Sequence, residues 1–154
     1  MKEKSIMFAL AVDHNGFFQP NHFGNADKFL MYEWKNDKLI FRQETVNPFK
    51  SLDEEHGAYK KGKAIIELLK NMGVKSLVSK QFGQNIQIVN NYFIPVIINA
   101  ETPEEVLPVL LKHMKWIEEE LNNESAEFKL FIIKKGVLKT AITNNSIGNE
   151  EPIK

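Results

Sequence analysis

The 154-residue sequence predicts a mixed α/β fold: a sheet of about five strands with an early antiparallel hairpin, and a second hairpin near the C-terminus. Three observations predict it. The run Ile6–Val12 is almost wholly apolar, the pattern of a strand covered on both faces. Two β-rich runs, Phe29–Trp34 and Leu39–Val46, flank the polar stretch Lys35-Asn36-Asp37-Lys38, as in a hairpin. After residue 57 helical and strand patterns alternate, which implies parallel strands joined by crossover helices.

The elements follow in order. Between the first strand and the hairpin, the sixteen residues Asp13 to Lys28 carry loop chemistry: Asn15-Gly16, Pro20 and Gly24. A compact domain rarely keeps so long a connection without a use for it. A second loop runs from Asn47 to about Gly57. In the next segment Ile65, Leu68, Leu69 and Met72 fall at helical spacing, and Gly73 suits a left-handed C-terminus. Ser76–Ser79 reads as a strand, Ile86, Val89 and Phe93 as one face of a brief helix, and Pro95–Ile98 as another strand. Thr102-Pro103-Glu104-Glu105 starts a helix: threonine caps, proline fits the first turn, and Glu105 can close a capping box. Its apolar stripe is expected at Leu107, Leu110, Leu111, Met114, Ile117 and Leu121, with a kink at Pro108 near its start. Phe128–Ile133 and Val137–Thr143, around Lys134-Lys135-Gly136, form the last hairpin.

Composition narrows the functions. Hydrophobic residues at 43% and charged residues at 26% suit a soluble globular domain. Twenty basic residues balance twenty acidic ones, so the basic excess of a nucleic-acid partner is missing. No run reaches membrane-spanning length. Lysines and Ala9-Leu10-Ala11 near the N-terminus faintly suggest a signal peptide, but the apolar run of seven residues is short for one and reads as a strand. A cytoplasmic protein is expected. There is no cysteine, hence no disulfide and no thiolate metal site, and metal chemistry falls to carboxylates and to His14, His22, His56 and His113.

The chain resembles the dinitrogenase iron–molybdenum cofactor biosynthesis family, small accessory and carrier domains of nitrogenase cofactor assembly. The resemblance runs from about Ile6 to Leu111 and rests on Asp13 after the first strand, on His22-Phe23-Gly24 with Ala26, and on Phe29 opening the hairpin. It continues through Asn47-Pro48, His56-Gly57, Gly62-Lys63, Leu68-Leu69 and Met72-Gly73-Val74 to Gly83. It implies a ribonuclease H-like three-layer α/β/α fold, with a family domain over residues 1–123, an appended hairpin at 124–143 and a flexible tail at 144–154. The chain departs from the family where a glycine pair is usual, with Lys80-Gln81-Phe82 before Gly83, and it lacks the cysteine segments of some members.

The strand-end loops after Val12, Ser79 and Ile98 are where such a sheet binds ligands. His22 is the first candidate contact, because a neutral imidazole can cap an exposed metal of a preformed cluster; the family associates this region with cofactor binding. Its other reading is a loop-ordering histidine bonded to backbone carbonyls. His14 is a candidate second metal ligand, Phe23 an anchor, Gly24 and Gly83 points of close backbone approach, and Lys80 a charge balance. His56 is weaker, and His113 lies off the helix stripe and reads as surface. Gly57 to Lys63 fits G-x-x-x-x-G-K, but Ala64 stands where a P-loop needs serine or threonine. Asp13 has no companion acids at the other strand ends for two-metal hydrolysis.

The preferred reading is therefore a non-catalytic binding or carrier protein that transiently holds iron–molybdenum cofactor, another iron–sulfur cluster or a cluster precursor. The rival is a protein-interaction domain of the same fold that has lost the cofactor, with the apolar strand Phe128–Ile133 leaving an edge to pair with a protein partner or in a homodimer. A carrier should place His14 and His22 on one open cleft, whereas the rival should show them apart or packed away.

Overall fold

A computed structural model of the chain describes residues 5–51, 58–83, 86–123, 127–134, 136–141 and 150–152. In chain order the elements are β1 (Ser5–Val12), a 3-10 turn (Phe23–Asn25), β2 (Lys28–Lys35), β3 (Lys38–Val46), α1 (Ala58–Asn71), β4 (Val74–Ser79), α2 (Ile86–Val89) and β5 (Ile94–Ile98). Then come α3 (Pro103–Lys112), α4 (Met114–Leu121), β6 (Leu130–Lys134), β7 (Val137–Ala141) and β8 (Glu150–Pro152). His56 and Gly57 lie outside the described residues.

The strands form one mixed sheet in the order β3-β2-β1-β4-β5-β6-β7-β8. β1, β4, β5 and β6 are parallel, and antiparallel strands flank them on both sides. The sheet is thus larger than the five strands expected, because the C-terminal hairpin continues it: Phe131 pairs with Val96 on one side and Thr140 on the other. β6 has both edges paired and is not the open edge expected of Phe128–Ile133. Its apolar residues serve the core, since Phe131 and Ile133 face one cluster and Leu130 the other.

Period-two alternation explains the unbroken apolar run of β1. Ile6, Phe8, Leu10 and Val12 enter the cluster beneath α3 and α4, while Ala9 and Ala11 meet the opposite cluster with Ile65, Ile66 and Leu69 of α1 and Ile86 and Val89 of α2. Helices therefore pack on both faces of the sheet. The β2–β3 hairpin turns at Asn36 and Asp37, whose φ values of 53° and 62° suit a two-residue turn that follows the strand twist. Gly73, at φ +82°, ends the α1 segment as expected.

The helix after β5 starts as its sequence indicates, with the Thr102–Glu105 capping box and Pro103 in the first turn. Its later course differs. The break falls at His113, between α3 and α4, and Pro108 lies inside α3. Of the expected stripe, Leu110, Met114 and Ile117 are buried and Leu107 and Leu121 pack against the same cluster, whereas Leu111 is exposed and Val106 and Val109 complete the buried face. His113 is half-buried rather than superficial and stacks on Trp116 at 4.5 Å. Burial, with Lys112 beside it, holds its pKa below the ordinary value. Among the described residues no helix is long and apolar enough to cross a membrane.

Candidate functional site

The parallel strands direct the loops after β1, β4 and β5 to one edge of the sheet, and hydrogen bonds stitch these loops together. Asp13 closes the first turn, its Oδ1 accepting the N–H groups of Asn15 (2.9 Å) and Phe17 (3.0 Å). That use as a turn cap accounts for an acid at this strand end without metal chemistry. Phe18 is buried, and its N–H donates to the Glu101 carbonyl at 2.9 Å, joining the β1 and β5 loops. Gln81 joins the β1 and β4 loops: its carbonyl accepts the Phe23 N–H at 3.1 Å, and its side chain donates to the Pro20 carbonyl at 2.9 Å.

The segment around His22 is held by groups other than its own ring. The Gln19 amide donates to the carbonyls of Asn21 (2.7 Å) and His22 (2.9 Å), and its oxygen accepts the Asn21 N–H. The Asn47 amide, buried, donates to the carbonyls of Gly24 (3.0 Å) and Ala26 (2.9 Å), and its oxygen accepts the Phe49 N–H. Phe23 is fully buried and packs on Phe82, ring centroids 5.7 Å apart. Lys61 rises from α1, only 4% exposed, and its ammonium reaches Asn25 Oδ1 at 2.6 Å and the Lys50 carbonyl at 2.8 Å. The Lys61 stem passes close to Gly24, where a Cβ would lie 3.5 Å from Cε, an ordinary packing distance that a side chain could also make.

His22 itself is exposed, in extended backbone (φ −60°, ψ 153°) just before the 3-10 turn. Its imidazole lies against Gly83, where a Cβ would come within 2.6 Å of Cε1 and 2.8 Å of Nδ1. Neither ring nitrogen has a hydrogen-bond partner among the described residues, so the ring does not order the loop through backbone carbonyls. Of the residues singled out from the sequence, His22, Phe23, Gly24 and Gly83 are brought together here.

His14 and Lys80 have partners of their own. The His14 backbone N–H donates to Asp27 Oδ2 at 3.0 Å, and its exposed ring has Nε2 3.5 Å from Oδ1 of the same carboxylate. Lys50 also pairs with Asp27, and this hydrogen-bonded ammonium, with His14 nearby, holds the carboxyl below its ordinary pKa. Lys80 Nζ is 2.8 Å from Glu101 Oε1, so the lysine is already half of an ion pair. Both histidine rings are exposed, each beside a different neighbour, and no hydrogen bond or ion pair joins them. Among the described residues no group of three or more His, Asp or Glu gathers in a form that could hold a metal ion.

Residues 4–113 match the model of a family described as dinitrogenase iron-molybdenum cofactor. The chain belongs to this family. A comparison with curated proteins found no match. The family's span takes in the whole His22 loop, Asn47, Lys61 and Gly83, and ends at His113 between α3 and α4. Within it, Gln81 and Phe82 of the stretch that replaces the glycine pair serve as fasteners of the His22 loop. From the sequence, Lys61 and its neighbouring lysines fit either an anion site at the helix start or a solvated first turn, and the burial of Lys61 is neither. Lys61 does lie four residues before Ile65, on the extension of the buried stripe, and that spacing was the available signal. Gln19 carried none, because a glutamine in a polar loop looks the same whether it faces water or its own backbone.

Proposed function

We propose that this member of the dinitrogenase iron–molybdenum cofactor family is a non-catalytic binding or carrier protein. Its cargo is an iron–molybdenum-type cofactor, another metal cluster or a cluster precursor, contacted by His22 at the strand-end loops. One observation carries the reading: the His22 imidazole stands exposed, with no hydrogen-bond partner among the described residues, on a loop that Gln19, Asn47, Phe23 and Lys61 order independently of it. An exposed imidazole on a rigid support suits capping one metal of an assembled cluster, where its lone pair needs no other ligands from this chain. Gly83 beneath the ring leaves the space that the imidazole itself fills, which sets where the ring stands.

With no cysteine to add thiolate bonds, attachment through one imidazole favours release, as a carrier requires. The second expected ligand, His14, would have to leave Asp27 to join. Strand order and helices on both faces support the ribonuclease H-like three-layer arrangement, and a cytoplasmic location is part of the same reading.

The test is an anaerobic titration with isolated iron–molybdenum cofactor, comparing the wild type with His22→Ala. The variant should keep its thermal midpoint, because the ring makes no hydrogen bond among the described residues, while affinity falls by roughly tenfold or more. Equal affinity in the two proteins would overturn the assignment of His22.

A further inference from the structure

A pocket of about 460 Å³ lies on the α3–α4 face of the sheet, lined by Trp116, Glu119, Glu120, Lys129, Phe131 and Thr140, with Asn123 beside them. Every one of these residues follows the family-matched span 4–113. The pocket arises because α4 ends at Leu121 while the sheet continues through β6 to β7, where Phe131 and Thr140 stand side by side as a register pair. Its volume is in the range of small-molecule sites.

We propose that this pocket binds a small organic cation, a primary amine on an apolar or aromatic body. The decisive group is Glu120. It is 5% exposed, and its Oε2 accepts the Lys129 N–H at 2.8 Å, which fixes the carboxylate at the pocket wall. Among the described residues Oε1 has no partner and no ion pair neutralises the group. A buried carboxylate with an open oxygen in a cavity attracts a cation that can donate a hydrogen bond. Glu119 adds a second negative charge at the exposed rim. Lys129 is itself exposed, so water screens its ammonium more than it screens Glu120.

The rest of the lining suits the body of such a ligand. Trp116 is half-buried and held in orientation by its stack on His113, with planes 13° apart. Phe131 is buried in the pocket floor. Aromatic faces beside carboxylates favour an ammonium with a hydrocarbon body over an inorganic cation. The site is remote in sequence from the His22 loop and does not depend on the carrier reading.

Phenethylamine is the probe, with phenylacetate as an anion of similar shape, and the readout is the indole N–H signal of Trp116 in nitrogen–proton spectra, identified with Trp116→Phe. The amine should shift this signal saturably, phenylacetate should not, and His22→Ala should leave the response unchanged. Glu120→Gln keeps an acceptor for the Lys129 N–H and should weaken binding by roughly tenfold or more. If that variant does not fold, Glu119→Gln tests the same charge dependence from the rim and should also weaken binding. No shift in folded protein, an equal response to phenylacetate, or full affinity in the folded charge variants would overturn the proposal.

Discussion

Replacing Gly83 with alanine perturbs the site in a way that separates position from stability. The residue sits at φ +62°, a conformation that costs a side-chain-bearing residue roughly 1–2 kcal/mol. The new methyl group would also lie 2.6 Å from His22 Cε1, well inside the roughly 3.5–4.0 Å of a favourable carbon contact. The obstacle is an exposed side chain with no hydrogen bond to lose among the described residues, so the ring can rotate away at little further cost. The expected destabilisation is therefore about 1–2 kcal/mol, below the roughly 3–5 kcal/mol of removing a buried phenylalanine such as Phe23. Urea unfolding measures it. Cofactor affinity should fall with the displaced imidazole, as far as in His22→Ala. A double-mutant cycle isolates the cause: in the His22→Ala background, Gly83→Ala should cost no further affinity. Additive losses would refute the reasoning, because the glycine would then matter to the ligand without acting through His22.

Two further outcomes concern the supports. Asn47→Ala leaves the Gly24 and Ala26 carbonyls without their buried donor and should cost about 2–3 kcal/mol in urea unfolding, with faster amide exchange across residues 23–27. Asp27 is held below its ordinary pKa of 3.8 by Lys50 first, so its pairing stabilises the fold above that value and the contribution is lost as pH falls through the lower folded-state pKa. Acid unfolding of Asp27→Asn should accordingly show a flatter stability profile below about pH 4 than the wild type. An identical acid profile would mean that the Lys50–Asp27 pair contributes nothing.

Much of the architecture was legible because local chemistry and global packing agree. The β1 run, the Asn36-Asp37 turn and the Thr102–Glu105 box each have one low-energy use, and the structure makes that use of them. Along α3 and α4 the stripe was read correctly at Leu110, Met114 and Ile117, but Leu111 was counted in and Val106 and Val109 left out, because neighbouring leucines and valines offer two apolar phases that only contact with the sheet decides between. Likewise, Phe128–Ile133 reads as a strand from its residues, but whether it joins β5 or stays an open edge depends on partners far away in sequence. The site divides in the same way. His22 and Gly83 stood out by residue type, whereas their closeness, the Lys80–Glu101 pair and the burial of Lys61 and Glu120 depend on where other elements pack. A lysine or glutamate in sequence gives no sign of losing its water.

The most direct test of the central claim is to record the imidazole nitrogen–proton spectrum of the folded protein while isolated iron–molybdenum cofactor is added anaerobically. The account predicts that the His22 signals shift or broaden in proportion to bound cofactor and that the effect disappears in His22→Ala. Cofactor that binds while the His22 signals stay unmoved would contradict it.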